Sequence, residues 1–202
     1  MNVLVTQRID EFGTYKERRD SLDMKWHEFV SKVGITPILV PNHLACAKRL
    51  LRNVDCSGLL LTGGNTLCSL DGGDAPERTE VEIFLIKIMM EKRLPIIGVC
   101  RGFHILHDFF NGDFEKVSGY AGNIHQLHYK NNVHKRENLS VTTHCNFLFK
   151  NTQMEVISRD ENGYVMSAHD LDNKIYGQIW HPERDINNDI GDIKLFKKIF
   201  GV

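Results

Sequence analysis

The first half of the chain alternates between short apolar segments and longer amphipathic ones. Four apolar runs lack polar alternation, which predicts buried parallel strands in NVLVTQ from residue 2, TPILVP from 36, GLLLTGG from 58 and PIIGVC from 95. Between and after them, apolar residues recur three and four apart, which predicts helices in SLDMKWHEFVSKVG, HLACAKRLLRNV, APERTEVEIFLIKIMMEKR and RGFHILHDFFNG. This rhythm of strands and helices predicts an α/β protein with a doubly wound, mostly parallel sheet.

After residue 113 the pattern changes to short segments joined by Asn, Gly and Asp turns. We predict short strands in EKVSGY, IHQLHYK, LSVTTH, MEVISRD, YVMSAHD and IYGQIWHPE, which extend the sheet in a more antiparallel arrangement. GDIKLFKKIF is predicted as the closing helix. The sequence contains no internal repeat, low-complexity segment or interdomain linker, so residues 1–202 are predicted to form a single domain.

The composition is that of an ordinary globular protein, with 42% hydrophobic and 25% charged residues and a net charge of -1. This charge gives no general attraction to nucleic acid or to a membrane surface. No apolar run reaches the roughly 18 residues of a membrane span, and the N-terminal sequence lacks a signal-peptide pattern, so we expect a cytoplasmic protein. The five cysteines are scattered, which argues against both a disulfide framework and a zinc site.

Cys100 stands where the fourth predicted strand meets the fourth predicted helix, between Gly98 and Gly102. Ligands of open α/β sheets bind beyond the carboxyl ends of the strands, so this junction lies on the functional edge. The pattern is the sulfur equivalent of the G-x-S-x-G nucleophile elbow, and the start of a helix favours a thiolate. We therefore predict that Cys100 is a nucleophile and that the backbone N–H of Arg101 faces an oxyanion formed beside its sulfur.

Two further motifs supply partners for such a nucleophile. IWHPER places His181 and Glu183 two residues apart, where an extended chain would point both side chains the same way and the carboxylate could orient the imidazole. LLLTGG places Gly63 and Gly64 at another strand end, where a backbone N–H can approach a substrate carbonyl. Each motif alone is more often a buried thiol, a turn or a loop. Their combination at three strand ends indicates an enzyme with a Cys-His-acid triad.

Taken together, LLLTGG, PIIGVCRGFH and IWHPER resemble the class I glutamine amidotransferase domain, over nearly the whole chain. The segment DAPERTEVEIFLIKIMMEKRLPIIGVCRGFHIL is especially similar to the stand-alone γ-glutamyl hydrolases of peptidase family C26, which carry an E-R-[DT]-x-x-E helix before the elbow. The resemblance implies a flavodoxin-like amidotransferase fold and a catalytic triad of Cys100, His181 and Glu183. It implies an oxyanion hole formed by the N–H groups of Gly64 and Arg101, and neither a metal nor an organic cofactor.

The same resemblance implies where the glutamyl part of a substrate binds. THCN, from residue 143, is similar to the family's segment that meets the glutamyl α-carboxylate and amine, so Thr143 and His144 are candidates. The family usually carries Gln four residues after the nucleophile, whereas this chain has His104, which implies an altered glutamyl pocket. Asn65 stands where many relatives carry Asp after the two glycines. Gly63 and Asn65 are therefore also candidate substrate-binding residues.

The opening, VLVTQRIDEFGTYKERRDSLDMKW, resembles small family members encoded beside capsule and surface-sugar genes. This implies γ-glutamyl-CDP-amidate as the small-molecule substrate, a precursor of the phosphoramidate decoration of a bacterial capsule. Guanidinium groups suit phosphate oxygens, so Arg8, Arg19 and Arg184 are predicted to contact the leaving group. Lys16, Arg18 and Arg19 lie among Glu17 and Asp20. For any one of these basic residues, pairing with a neighbouring acid at the start of a helix is favoured over contact with a substrate.

The expected reaction is hydrolysis of a γ-glutamyl amide through a γ-glutamyl thioester. The alternative is a glutaminase subunit that delivers ammonia to a partner synthase, and the same catalytic residues would serve it. A third interpretation, a binding or regulatory protein that kept the fold, is disfavoured because Cys100, His181 and Glu183 are all present. The sequence leaves the oligomeric state open.

Overall fold

The computed structural model describes residues 1–130, 135–185 and 189–202. Its strands are β1 (Asn2–Val5), β2 (Arg8–Phe12), β3 (Glu17–Ser21), β4 (Thr36–Leu39), β5 (Leu59–Leu61), β6 (Ile96–Val99), β7 (Glu115–Lys116), β8 (Ile124–Gln126), β9 (His128–Tyr129), β10 (Ser140–Thr142), β11 (Phe147–Leu148), β12 (Glu155–Arg159), β13 (Val165–Asp170) and β14 (Ile175–Gln178). Its α-helices are α1 (Lys25–Val33), α2 (Leu44–Asn53), α3 (Pro76–Glu91), α4 (Arg101–Phe109) and α5 (Ile190–Phe200). No helix in these described ranges has the length and apolar composition needed to cross a membrane.

An eight-stranded sheet in the order β4-β1-β5-β6-β14-β13-β12-β9 forms the centre of the molecule. The first five strands in this order, β4, β1, β5, β6 and β14, are parallel to one another. The remaining three, β13, β12 and β9, continue the sheet in antiparallel pairs. The predicted α/β fold with a parallel sheet and an antiparallel extension is therefore confirmed. One detail differs, because β14 was grouped with the antiparallel half and instead pairs in parallel with β6.

Both faces of the sheet are covered by helices, which explains why its strands are apolar without alternation. Successive residues of a strand point to opposite faces. Leu60 of β5 packs in a core with Phe29 of α1 and Phe196 of α5, whereas its neighbour Leu61 packs in the second core with Leu85 of α3. Every one of these side chains is fully buried. A strand whose two faces both meet a core must be apolar at each position.

The charged segment after β1 is a hairpin of β2 and β3, and the predicted helix start there is wrong. Opposite charges face each other across the two strands, with Asp10 opposite Arg19 and Glu11 opposite Arg18. Such cross-strand pairs stabilise a hairpin that has few apolar side chains. Arg18 also bonds both carboxylate oxygens of Glu77 at 3.1 and 3.0 Å, which ties the hairpin to the start of α3.

The two glycines around Cys100 let helix α4 pack directly on the sheet. A Cβ added to Gly102 would lie 2.1 Å from the carbonyl oxygen of Leu61, and one added to Gly98 would lie 2.3 Å from the carbonyl oxygen of Gly102. These contacts are with backbone atoms, which cannot move aside without disturbing the sheet. The glycines therefore fix the position at which the strand turns into the helix.

Candidate functional site

Cys100 occupies a strained turn between β6 and α4. Its φ of 53° and ψ of −111° are unusual for a residue with a side chain. Strain of this kind is typical of a nucleophile elbow, because the sharp turn points the side chain out of the sheet edge. Only 6% of the residue is exposed, so the sulfur is reached through the cavity described below.

His181 and Glu183 follow β14, the neighbour of β6 in the sheet. Nδ1 of His181 lies 2.6 Å from Oε1 of Glu183, and both side chains are buried. Residues Pro182–Arg184 form a single 3₁₀ turn, so it is this turn, and not the predicted extended chain, that brings the carboxylate back to the imidazole. The hydrogen bond to Nδ1 leaves Nε2 as the nitrogen available to a reacting group.

Gly63 packs closely against both His181 and Cys100. A Cβ added to Gly63 would lie 2.5 Å from Cε1 of His181 and 3.4 Å from Cβ of Cys100. Glycine is therefore required sterically at this position. The close approach brings the backbone after β5 alongside the sulfur, as the LLLTGG motif predicts.

The buried thiol and imidazole stabilise each other as an ion pair. A hydrogen bond from Cys145, together with the charge and hydrogen bond of His181, holds the pKa of Cys100 well below its usual value in spite of burial. Burial alone would lower the pKa of His181, but the Cys100 thiolate and the hydrogen bonds to Cys100 and Glu183 raise this pKa to about 10. Both shifts favour a thiolate paired with an imidazolium, which is the reactive form of a cysteine nucleophile.

A cavity of about 350 Å³ opens onto the thiol. It brings together most of the site residues expected from the sequence: Gly64, Asn65, Cys100, Arg101, His104, His144, His181 and Arg184. A volume of this size is within the range of small-molecule sites. The cavity is therefore the candidate binding site for the group that Cys100 attacks.

His104 lies in this cavity as a neutral side chain. Burial lowers the pKa of His104 to about 4, so its imidazole carries no charge at neutral pH. Its buried Nε2 has no hydrogen-bond partner among the described residues. His144 is more exposed, and its ring centroid lies 5.4 Å from that of His181. Burial also lowers the pKa of His144, with the positive His181 adding to the effect.

Three of the predicted binding residues lie elsewhere. Arg19 is exposed, donates a hydrogen bond to Glu17 at 2.7 Å and stacks over the ring of Phe12 in the same hairpin. It therefore does not line the cavity. Thr143 is fully buried and donates to the carbonyl oxygen of Tyr120 at 2.8 Å, which gives it a structural role. Arg8 lines a separate small cavity with Gly63, His181 and Arg184 and is bonded to Asp10 at 3.0 Å.

Cys145 and the buried pair Arg78 and Glu82 have no role predicted from the sequence. Nothing in the sequence links Cys145 to Cys100, whereas Arg78 and Glu82 belong to the E-R-[DT]-x-x-E helix quoted above. Arg78 and Glu82 carried a detectable signal, since they lie four residues apart in α3 on the same side as the apolar Leu85. Charges in that position on a buried face are paired in most proteins.

A second cavity of about 290 Å³ adjoins the first. The two cavities share His144, His181 and Arg184. Ser140 and Thr142 are among the polar residues that line the second one. The imidazole of His181 therefore lines both the cavity that contains Cys100 and the neighbouring cavity, which Cys100 does not line.

One group of side chains has the composition of a metal site. Ligand atoms of His125, Asp160 and Glu161 lie within 4.8 Å of one another. They are already engaged, because His125 bonds Glu161 at 3.0 Å and Asp160 accepts from the hydroxyl of Tyr120 at 3.0 Å. These hydrogen bonds account for the cluster without a metal ion.

Comparison with known proteins identifies the family. The Peptidase C26 family model matches residues 3–183. The chain is 24% identical over 211 residues to γ-glutamyl-CDP-amidate hydrolase of Campylobacter jejuni, and the match covers 100% of this chain and 98% of that protein. It is 24% identical over 212 residues to a glutamine-hydrolysing GMP synthase of Lactiplantibacillus plantarum, and the match covers 94% of this chain and 32% of that protein.

The fold comparison agrees with the sequence comparison. A glutamine amidotransferase from Thermotoga maritima superposes with a TM-score of 0.68 at 16% identity, over 98% of this chain and 82% of that structure. The family resemblance noted from LLLTGG, the elbow and IWHPER is thus confirmed. The chain belongs to the Peptidase C26 family.

Proposed function

We propose that this protein hydrolyses a γ-glutamyl amide through a thioester on Cys100, with His181 as general acid and base and Glu183 as the carboxylate that orients it. The observation that carries the proposal is the group of contacts around one sulfur. A strained elbow presents the thiol, a buried imidazole beside it is bonded to a carboxylate at 2.6 Å, and a cavity of about 350 Å³ opens onto it.

The chemistry follows from the charge state of the pair. The Cys100 thiolate attacks the γ-carbonyl carbon, and His181 gives its proton to the amide nitrogen as the C–N bond breaks. The products of this step are the free amine or amidate and a γ-glutamyl thioester. The neutral His181 then takes a proton from water, which attacks the thioester. The C–S bond breaks, glutamate leaves, and the thiolate and imidazolium are restored.

The oxyanion formed in each step needs hydrogen-bond donors beside the sulfur. The backbone N–H groups of Gly64 and Arg101 are the proposed donors, because Gly64 follows β5 and Arg101 opens α4 at the two sides of Cys100. Both residues line the cavity. Each such donor lowers the barrier by about 3 kcal/mol.

The proposed substrate is γ-glutamyl-CDP-amidate, which would give L-glutamate and cytidine diphosphoramidate. Its support is the match over the full length of a relative named for that hydrolysis. The second cavity adds a physical reason. The leaving nitrogen must face His181, and the cavity of about 290 Å³, which shares His144, His181 and Arg184 with the catalytic cavity, offers space for a large leaving group. Ammonia, the leaving group of glutamine, would leave this space unfilled.

The test is glutamate release by the purified protein from three substrates: glutamine, a γ-glutamyl anilide and γ-glutamyl-CDP-amidate. We expect the highest kcat/KM for the nucleotide amide. Cys100→Ala should lower the rate by about 10³-fold or more on every substrate, because the covalent step is lost. Activity that survives in Cys100→Ala would rule out the thioester route.

The second candidate function is a glutaminase subunit that supplies ammonia to a synthase. The similarity to a glutamine-hydrolysing GMP synthase favours it. Preference for glutamine in the same assay would support this candidate and contradict the nucleotide substrate.

A further inference from the structure

We infer that Arg78 is a positioning residue for the oxyanion hole: its buried guanidinium holds the backbone turn after β5 in shape and, through Glu82, couples that turn to the elbow. The inference rests on the proposed function, because it concerns the donors that surround the reacting carbonyl. Arg78 itself lies on helix α3 and touches neither the thiol nor the cavity that contains it.

The guanidinium of Arg78 binds three consecutive carbonyl oxygens of that turn. One terminal nitrogen donates to Gly63 at 3.0 Å and to Gly64 at 2.7 Å. The other donates to the carbonyl oxygen of Thr62 at 2.7 Å. With its carbonyls held from behind, the peptide that carries the Gly64 N–H has a fixed orientation. The arrangement matters because an oxyanion hole works by being preorganised before the charge forms.

Glu82 connects Arg78 to the other side of the hole. It accepts a hydrogen bond from Nε of Arg78 at 2.8 Å, and its second oxygen accepts from the guanidinium of Arg101. Arg101 is the residue directly after the nucleophile, and it also donates to the hydroxyl of Thr79 at 3.0 Å. The two backbone donors proposed for the oxyanion are therefore joined by one buried chain of ion pairs.

The network is buried, so its energetics differ from those of a surface ion pair. Arg78 and Glu82 have no exposed side-chain area and Arg101 has 2%. Buried charges are retained where they are paired with good geometry, and one carboxylate here accepts hydrogen bonds from two guanidinium groups, although Nε of Arg101 has no partner among the described residues. Burial lowers the pKa of Arg78 to about 10 even with Glu82 beside it, so the group stays charged at neutral pH.

Lysine cannot replace Arg78 in this role. A guanidinium offers five donors in a rigid plane, whereas an ammonium offers three donors from one point. Lysine can reach Glu82 or one carbonyl oxygen, but it cannot span Thr62 and Gly64 together. Arg78→Lys therefore keeps the charge and loosens the turn.

The experiment compares Arg78→Lys with Arg159→Lys. Arg159 is the control because its half-buried guanidinium also donates to two carbonyl oxygens, those of Lys150 and Gly163, each at 2.7 Å from one terminal nitrogen. Three quantities are measured for both variants and for the unaltered protein. They are kcat and KM for the best γ-glutamyl substrate, the rate and extent of Cys100 alkylation by iodoacetamide, and hydrogen exchange of the peptide that covers residues 59–67.

Alkylation separates a positioning role from a merely structural one. Iodoacetamide reacts with the thiolate at carbon without forming an oxyanion, so it reports the nucleophile alone. We expect Arg78→Lys to lower kcat by about 100-fold with little change in KM, to alkylate at a rate within about threefold of the unaltered protein, and to exchange faster in residues 59–67. Arg159→Lys should change none of these.

Two results would overturn the inference while the proposed function stands: unchanged turnover or exchange in Arg78→Lys, or parallel loss of turnover and alkylation. The second, in a variant whose hydrogen exchange outside residues 59–67 is unchanged, would mean that Arg78 acts on the nucleophile and not on the oxyanion hole. If the unaltered protein alkylates readily but releases glutamate from no substrate, the proposed function fails first and the inference fails with it.

Discussion

Cys145 lines the same cavity of about 350 Å³ as Cys100, and hydrogen bonding between the two thiols is the largest influence on the pKa of each, so the nucleophile of this protein is accompanied by a second cysteine. The hydrogen bond raises the pKa of Cys145 and lowers that of Cys100, because the donor keeps its proton while the acceptor carries the charge. Cys145 thus assists His181 in stabilising the thiolate.

Removing this donor should make the nucleophile less acidic. In Cys145→Ala the pKa of Cys100 rises toward its ordinary value, so the pH at which alkylation by iodoacetamide is half-maximal should rise and the rate below that pH should fall. Cys145→Ser keeps a donor and should restore most of the rate. The pH dependence of alkylation measures the effect, and Cys68→Ala, which removes an exposed thiol, is the control. An identical pH profile in Cys145→Ala would show that the hydrogen bond does not matter.

Glu183→Gln should move the alkaline limb of the pH profile. The pKa of His181 is raised to about 10 from an ordinary 6.5, so the imidazolium persists up to about pH 10. The stability that it contributes is fully present below about pH 6.5 and is lost as the pH rises through 10. A neutral amide at position 183 favours the imidazolium less, so the alkaline limb of kcat/KM should shift to lower pH. The acid limb, which reports the thiolate of Cys100, should move much less. A shift confined to the acid limb would contradict this assignment.

Gly63→Ala should lower activity more than stability. The added methyl group would lie 2.5 Å from Cε1 of His181 and would push the imidazole away from the thiol. A displacement of about 1 Å in a catalytic group can cost about 100-fold in kcat. Gly163→Ala is the control, because its Cβ would meet nothing within 4 Å and only its positive φ of 83° would be strained. Equal loss of activity in the two variants would show that the contact with His181 is not the cause.

Arg184→Ala should weaken binding of a large, charged leaving group more than binding of glutamine. Arg184 lines both the catalytic cavity and its neighbour, and a guanidinium group is well suited to phosphate oxygens. We expect KM for γ-glutamyl-CDP-amidate to rise by about tenfold and KM for glutamine to change by less than about twofold. Arg19→Ala is the matched control, since that guanidinium bonds Glu17 away from the cavity. Equal changes for both substrates would mean that Arg184 serves the shared glutamyl part.

The parallel sheet was predictable because burial on both faces leaves an unmistakable pattern in the sequence. Strands β1, β4, β5 and β6 read as apolar runs, and the helices that cover them show a period of three to four. The elbow at Cys100 was predictable for a different reason, since its two glycines are required by backbone contacts at 2.1 and 2.3 Å. Local steric demands of this kind restrict the sequence strongly.

Features that depend on partners distant in the chain were not predictable. The hairpin of β2 and β3 has the composition of a charged surface, and only cross-strand pairing makes it a sheet. The hydroxyl of Thr143 could have pointed to a ligand, and it instead satisfies the carbonyl oxygen of Tyr120. Arg19 is a different case, because its guanidinium bonds Glu17 only two residues away, which is the local pairing favoured for each basic residue of 16–19.

The adjacency of β6 and β14 has a consequence for how this scaffold can change. Their backbone hydrogen bonds align Gly98 with Gly177, so the distance between the nucleophile after one strand and the base after the other is set by strand spacing. Ile124, Ser140 and Thr142 line the neighbouring cavity and lie outside these two strands, so they can change without altering that distance. Proteins with the same sheet and different residues around this cavity could therefore release different amines by one reaction. Exchanging those residues offers a direct way to engineer leaving-group selectivity.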